Sequence, residues 1–206
     1  MRVLFRMVAM VAALGLPLNF LQSRPAAAED LESGVLAEVN FARSQPRQYA
    51  RALQRLVQAS RDGGPFLSYA DFDPEALDEA IDFLMRQDPL PPLRPDARIA
   101  DAARDHAAAQ GGRGEIGHAG PGRESLGQRL QRRGVWAGLM AENISYGFAN
   151  PREVVAQLII DSGVAGRGHR KNIFGRSYQV AGVACGAHRT YASMCVIDFA
   201  GALVAR

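Results

Sequence analysis

The 206-residue chain is 48% hydrophobic and 22% charged, and its formal net charge is +3 at pH 7. Residues 1–28 carry three arginines and no acid, so the remainder holds 21 basic and 21 acidic residues. Because a nucleic-acid-binding domain usually shows a basic footprint, this balance gives no support for nucleic acid as a partner.

The first 28 residues have the layout of a secretory signal peptide. Arg2 and Arg6 precede an apolar run over residues 7–21, and three alanines at residues 26–28 form a cleavage pattern. The apolar run is short for a membrane span. We therefore expect a secreted or periplasmic protein with no transmembrane anchor after cleavage, folded as a single domain over residues 29–206.

Apolar residues at helical spacing predict four helices in the first half of the chain. They cover residues 31–43, a stretch that starts at Pro46, residues 73–87 and residues 97–110. Residues 60–68 and the proline-rich residues 88–95 are expected to connect helices, because glycine and proline disfavour helical backbone. His106 falls on the apolar side of the fourth helix, which favours a buried histidine bonded to the backbone over a metal ligand.

Two polar features follow in the middle of the chain. A glycine-rich loop at residues 114–122 carries His118 and leads into a predicted short helix over residues 123–133. Glu142 and Asn143 then interrupt a stretch of apolar and small residues. Both features place polar side chains where the surrounding pattern is apolar, so they are candidates for a site.

A further helix is predicted from Asn150, which is followed by proline at the first helical position. Leu158 and Asp161 share its apolar stripe, so Asp161 is expected to point toward the interior or a cleft, an unusual place for an acid. The stretch over residues 161–173 then crosses three glycines and presents His169 beside two cations. We expect this stretch to form one wall of a site.

The C-terminal part is predicted to be a β-hairpin, with alternating strands over residues 179–186 and 191–200. Folding the chain about Thr190 sets Cys185 opposite Cys195. Directly opposed residues lie within the range that a disulfide needs, and an exported protein meets an oxidising compartment. The two cysteines are therefore expected to form a disulfide.

Four motifs in this order resemble the CAP superfamily, which includes cysteine-rich secretory proteins, antigen 5 and plant pathogenesis-related type 1 proteins. The motifs are the helix with His106, Gly117-His118, Ala141-Glu-Asn-Ile144 and Gly168-His-Arg-Lys-Asn-Ile173, with the hairpin after them. The match is to the bacterial secreted SCP-like branch. It covers residues 93–201, with the first helix over residues 31–43 as the family's opening helix.

The resemblance implies an α+β fold, a three-layer α-β-α sandwich with a central antiparallel sheet. It also implies a cleft lined by two histidines and two acids, which by position are His118, Glu142, Asp161 and His169. The family's tryptophan in the helix before Asp161 is replaced here by Leu158. Residues 65–87 are expected to be a helical insertion relative to the compact family core.

These four cleft side chains could bind zinc or another divalent metal, because neutral histidine and carboxylate are zinc ligands. They are expected to come from separate loops, with no H-E-x-x-H helix to fix their spacing. A network of hydrogen bonds between histidines and acids, tying the loops to the sheet, is the structural alternative. A serine nucleophile, Ser125 or Ser162 with His169 as its base, has less support because no G-x-S-x-G elbow occurs.

Two functions stay open at this point. The first is a secreted binding or interaction module whose cleft takes a small ligand, lipid, peptide or cell-wall component. The second is an extracytoplasmic metal-dependent hydrolase that uses the same cleft. The sequence assigns no catalytic residue, and it does not identify the ligand or substrate.

Overall fold

The computed structural model describes residues 26–62 and 73–203 of the chain. Its helices are α1 (Ala26–Ser44), α2 (Pro46–Arg61), α3 (Pro74–Arg86), α4 (Ala97–Arg113), α5 (Leu126–Arg132), α6 (Pro151–Ile160) and α7 (Gly168–Ile173). Its strands are β1 (Arg94–Pro95), β2 (Met140–Tyr146), β3 (Val180–His188) and β4 (Ala192–Ala200).

The helices cover both faces of one four-stranded sheet with the order β1-β3-β4-β2. Helices α1, α2, α3, α6 and α7 bury their apolar residues against one face, and α4 and α5 cover the other. This arrangement confirms the predicted α-β-α sandwich. The sheet is mixed, however, because the two-residue strand β1 pairs in parallel with β3, whereas β2, β3 and β4 are antiparallel.

Side-chain caps set where several helices begin. Helix α5 starts at Leu126, three residues later than predicted, because Ser125 and Gln128 form a capping box. The Asn150 side chain accepts from Arg152 N and starts α6 as expected. The starting residues of α5 and α6 are therefore set by local hydrogen bonds.

Helix α3 belongs to the main core, since its Ala76, Leu77, Ala80 and Leu84 are buried there. It confirms the helix predicted over residues 73–87. Residues 65–72 of the predicted insertion lie outside the described residues, as does the predicted signal peptide apart from residues 26–28 at the start of α1. Within the described ranges, no helix combines the length and apolar character needed to cross a membrane.

The C-terminal hairpin has the predicted register. Val183 pairs with Ile197 and Cys185 with Cys195. The two sulfurs are bonded, with a Cα–Cα distance of 4.1 Å. The predicted disulfide is confirmed, and it closes only a short loop between adjacent strands.

Replacing both cysteines with alanine is expected to lower the free energy of unfolding by about 2–3 kcal/mol, because a short closed loop constrains the unfolded chain only modestly. Urea unfolding of the double variant and of the oxidised protein measures this difference. Adding a reductant should change the unfolding of the parent protein and leave the double variant unaffected. A loss well above 3 kcal/mol would mean that the disulfide also holds the native sheet in place.

Candidate functional site

Strand β2 lies at one edge of the sheet and carries the Glu-Asn pair. Glu142 therefore lies in a strand and not in a loop, which corrects the expectation from the sequence. Because successive strand residues point to opposite faces, Glu142 faces the α4–α5 layer and Asn143 faces the α6–α7 layer. Asn143 Nδ2 donates to the backbone oxygen of His169 at 3.0 Å, which ties the two sides of the site to this edge.

On the α4–α5 side, His118 pairs with Glu142. The His118 Nδ1–Glu142 Oε1 distance is 2.9 Å, and Arg129 Nη2 donates to the other carboxylate oxygen at 2.5 Å. Arg129 Nη1 also donates to the backbone oxygens of His118 and Glu124. Arg129 and Glu142 are both buried, whereas the His118 side chain is 61% exposed. Arg129 thus anchors both the acid and the loop that carries the histidine.

The residue before His118 is held by three side chains, of which His106 and Gln110 are buried. Gly117 has φ 107°, a conformation that glycine adopts readily. His106 Nε2 and Gln110 Nε2 lie 3.0 and 2.7 Å from its backbone oxygen, and its N–H donates to the Tyr146 hydroxyl. His106 is thus a buried histidine bonded to backbone, as predicted, and it positions the His118 loop.

A second buried acid lies behind this pair. Asp198 on β4 is opposite Glu142 in the strand register and is fully buried. Burial and the charge of Glu142 raise the pKa of Asp198 well above its usual value. Among the described residues, neither carboxylate oxygen of Asp198 has a hydrogen-bond partner. Burial opposes ionisation of Glu142, but the hydrogen bond with His118 and the charge of Arg129 outweigh it, and the Glu142 pKa is lowered.

The hydrogen bond with Glu142 raises the pKa of His118 above its ordinary value of 6.5, against a smaller opposing effect of burial. This pair therefore stabilises the fold fully below pH 6.5, and the contribution is lost as the pH rises through the raised pKa. We expect Glu142→Gln to lower the His118 pKa in an NMR titration of the imidazole. Asp88→Asn, at an exposed carboxylate, is the control and should leave it unchanged. An unaltered His118 pKa in Glu142→Gln would contradict the pairing.

On the α6–α7 side, Asp161 holds His169. Asp161 ends α6 in a left-handed conformation with φ 57° and is 2% exposed. Its carboxylate accepts from the backbone N–H groups of His169 and Arg170 and lies 2.6 Å from His169 Nδ1. The prediction that this acid points inward is confirmed.

Arg170 locks the short helix that carries His169. It is 3% exposed, and it donates to the backbone oxygens of Ile159 and Ile160 and to Glu79 of α3. Arg167 reaches the same Glu79. Despite its three glycines, the stretch before His169 is therefore tied to α3 and α6.

A cavity of about 290 Å³ opens beside His169. Its walls come from β2, the loop after β2, α6 and the loop before α7: Ile144, Phe148, Gln157, Leu158, Asp161, Ser162, Val164 and His169. Leu158, where the family has tryptophan, is one of these walls. The volume of the cavity approaches that of small-molecule binding sites, which usually begins near 300 Å³.

The four predicted site residues thus form two separate pairs, one on each side of β2. In both pairs Nδ1 of the histidine meets the acid, which leaves Nε2 as the nitrogen available to a ligand. Among the described residues, no group of three or more His, Cys, Asp or Glu side chains could hold a metal ion.

The donor set fits a metal only in part. Oxygens of Glu142 already bond to Arg129 and His118, and those of Asp161 bond to His169 and two backbone amides. The imidazole Nε2 atoms are the suitable ligands, with the acids as outer partners that orient them. The four-residue metal site stays a prediction.

The serine alternative gains no support from the site. Ser162 lines the cavity with His169, but its hydroxyl accepts from the backbone N–H of Asp73 at 3.0 Å. In the part of the chain described, no hydrogen bond joins Ser162 to His169. Ser125 is engaged in the cap of α5. Neither hydroxyl is oriented as a nucleophile.

Comparison with protein families gives a match between residues 36–199 and the model of the cysteine-rich secretory protein family, CAP. Similar solved structures include an extracellular protein with an SCP domain from Bacillus anthracis, with 25% identity, a TM-score of 0.48 and coverage of 62% of this chain and 39% of that one. An outer surface protein from Borrelia burgdorferi has 18% identity, a TM-score of 0.46 and coverage of 54% and 79%.

A cysteine-rich secretory protein from Staphylococcus aureus has 17% identity, a TM-score of 0.44 and coverage of 64% of this chain and 40% of that one. The chain therefore spans about two fifths of the length of the Bacillus and Staphylococcus proteins. The comparison with curated proteins gave no significant match.

Proposed function

Because the chain belongs to the cysteine-rich secretory protein (CAP) family, we propose that it is a secreted binding module whose cleft lies at the β2 edge. The cleft has His118 on one side and His169 with its cavity on the other. Its ligand is a small molecule, lipid, peptide or cell-wall component that contacts the two imidazoles. The part of the chain N-terminal to residue 29 acts as the signal for export.

The observation that carries this proposal is the shared orientation of the two histidines. Each has Nδ1 fixed by a buried carboxylate, 2.9 Å away for His118 and 2.6 Å for His169. Fixed rings bind a ligand without first losing rotational freedom. The disulfide agrees with export, because disulfides persist in oxidising compartments.

A metal-dependent hydrolase is the second candidate. Histidines that bind a metal through one ring nitrogen usually donate from the other ring nitrogen to an acid. His118 and His169 have this arrangement, with Nδ1 bonded to a carboxylate and Nε2 free. His118 and His169 would hold the ion, which would polarise a carbonyl or activate water when bound. This chain's Glu142 and Asp161 would orient the rings. We rank this second, because both carboxylates already have partners within the protein.

A histidine double variant tests the proposed function. NMR spectra of the mature protein are recorded with blocked peptides, octanoate, soluble cell-wall fragments and zinc chloride. We expect at least one probe to shift the imidazole resonances, and His118→Ala/His169→Ala to abolish that binding. Arg176→Ala, an exposed cation elsewhere, should bind as the parent does. Binding that survives in the double variant would contradict the cleft as the site.

For a probe that binds, zinc dependence separates the two candidates. Hydrolysis of peptide or ester substrates that requires added zinc and is lost in His169→Ala would favour the hydrolase. Binding that is unchanged by a chelator would favour the binding module.

A further inference from the structure

The cavity beside His169 lies against the outer edge of β2, and the register of the sheet fixes how this edge is oriented. Gly147 N–H donates to Ser193 O at 2.9 Å in continuation of the β2–β4 pairing. In an antiparallel pair, the backbone N–H and C=O groups of successive residues point alternately toward the partner strand and away from it. The backbone groups of Ile144 and Tyr146 therefore point away from β4.

This outer edge offers backbone hydrogen bonds to an incoming chain. The backbone oxygen of Glu142 lies on the same edge and accepts from Asn172 Nδ2 at 3.5 Å. Beyond it, the N–H and C=O groups of Ile144 have no hydrogen-bond partner within the described ranges. Ile144 also lines the cavity. An unpaired strand edge is a template for pairing with an extended peptide.

Two side chains give the cavity one donor and one acceptor. Ser145 Oγ donates to Gln157 Oε1 at 2.5 Å, which leaves the Gln157 amide nitrogen as a donor. His169 Nδ1 donates to Asp161, so in this tautomer Nε2 is the ring nitrogen that can accept a hydrogen bond. A peptide group matches this pair, because its C=O accepts and its N–H donates.

The remaining walls are apolar. Phe148, Leu158 and Val164 surround the cavity, and a volume of about 290 Å³ accommodates one large apolar side chain together with the adjacent peptide groups. Side chains of an added strand alternate in direction, so one of them can enter the cavity while its neighbours stay outside.

We propose that this cavity and the β2 edge bind an extended peptide segment, with a bulky apolar side chain between Phe148 and Leu158 and a peptide group on Gln157 and His169. The proposal rests on the proposed function, since it names the ligand class of the same cleft. The peptide adds to β2 as an outer strand.

The test uses the mature protein and the blocked peptide N-acetyl-Gly-Leu-Gly-methylamide. Binding is followed by NMR shifts, and amide hydrogen exchange is measured at Ile144. We expect the peptide to shift His169 and to slow exchange at Ile144. Ester analogues replace each of the two peptide bonds flanking leucine, and at least one should bind 10-fold or more weakly because it lacks an N–H donor.

Two variants and one control locate the site. Leu158→Trp fills the cavity and should weaken peptide binding at least 10-fold. Gln157→Glu keeps an acceptor for Ser145 but removes the donor, and it should weaken binding even if Leu158→Trp does not fold. Ile116→Trp changes a side chain that is 64% exposed and outside the cavity, and it should bind as the parent does.

Other results would overturn the peptide assignment. Equal affinity for the peptide and both esters, unchanged exchange at Ile144, or binding of octanoate without binding of the peptide would each do so. In the last case the shift of the imidazoles by octanoate, lost in the histidine double variant, would keep the proposed function while the peptide inference fails. Peptide binding that is unchanged in the histidine double variant would contradict both the proposed function and the peptide inference.

Discussion

Arg129→Ala is expected to lower the free energy of unfolding by about 3–5 kcal/mol, because it leaves a buried carboxylate without its charged partner. Arg129 and Glu142 side chains are 1% and 3% exposed, and the guanidinium also holds the backbone oxygen of His118. Chemical denaturation of the variant and the parent protein measures the loss. The His118 loop should lose its fixed position as well.

The matched control for Arg129→Ala is Arg132→Ala, one turn further along the same helix. Arg132 is 54% exposed and pairs with Asp105 and Glu124 at the surface, so its replacement should cost less than about 1 kcal/mol. A similar loss for the two variants would show that α5 itself, and not the buried pair, decides the effect. A negligible loss in Arg129→Ala would contradict the buried ion pair.

Gly182→Ala is expected to destabilise the fold by about 3 kcal/mol or more. A methyl group at Gly182 would overlap the main chain of α4 at Ile99 and Ala100, and backbone cannot move aside as a side chain can. Forcing extra atoms into a packed core typically costs about 1–3 kcal/mol even where side chains can adjust. Thermal or urea unfolding of the purified variant measures the effect.

Gly186→Ala tests the same substitution on the same strand where the space is open. Apart from the adjacent residues of the chain, no heavy atom of the described residues lies within 4 Å of a methyl group built there. Stability should therefore be unchanged or slightly higher, as glycine is a poor strand residue. Equal destabilisation by both variants would mean that the strand tolerates no alanine, and it would contradict the close approach of α4 to Gly182.

The sequence was most informative where many residues follow one repeating spacing of apolar positions, as in a strand or a helix. The alternation of the hairpin and the two cysteines predicted the β3–β4 register and the disulfide. The stripe that carried Asp161 along α6 predicted its inward position. Both depend on local geometry, in which the period of a helix or strand determines which face a side chain occupies.

The pairing of the site residues could not be predicted in this way. Which acid meets which histidine depends on how loops from different layers reach β2. The sequence placed the four side chains in one cleft, whereas the structure separates them into one pair on each side of the edge strand. The parallel strand β1 was missed because two residues, one of them Pro95, carry no periodic signal.

The burial of two charged groups was also not predicted, although a signal for each exists. Arg129 shares the helical stripe of Leu126 and Leu130, where a cation is unexpected unless it is paired. Asp198 occupies the same face of β4 as Val196 and Ala200 in strict alternation. A charged residue on an apolar stripe, which identified Asp161, would have identified these two as well.

The four histidines of the chain divide into two kinds by their hydrogen bonds. His106 and His188 use Nε2 to donate to the backbone oxygens of Gly117 and Glu115, so they carry the proton on Nε2. His118 and His169 donate from Nδ1 to carboxylates and carry it there, which keeps Nε2 open to a ligand.

Long-range proton–nitrogen NMR of the imidazoles above pH 8 tests this division most directly, because it reads the tautomer of each neutral ring. We expect the Nδ1–H tautomer for His118 and His169 and the Nε2–H tautomer for His106 and His188. Finding the Nε2–H tautomer at His118 or His169 would mean that the acid does not hold that ring, and it would contradict the proposed cleft.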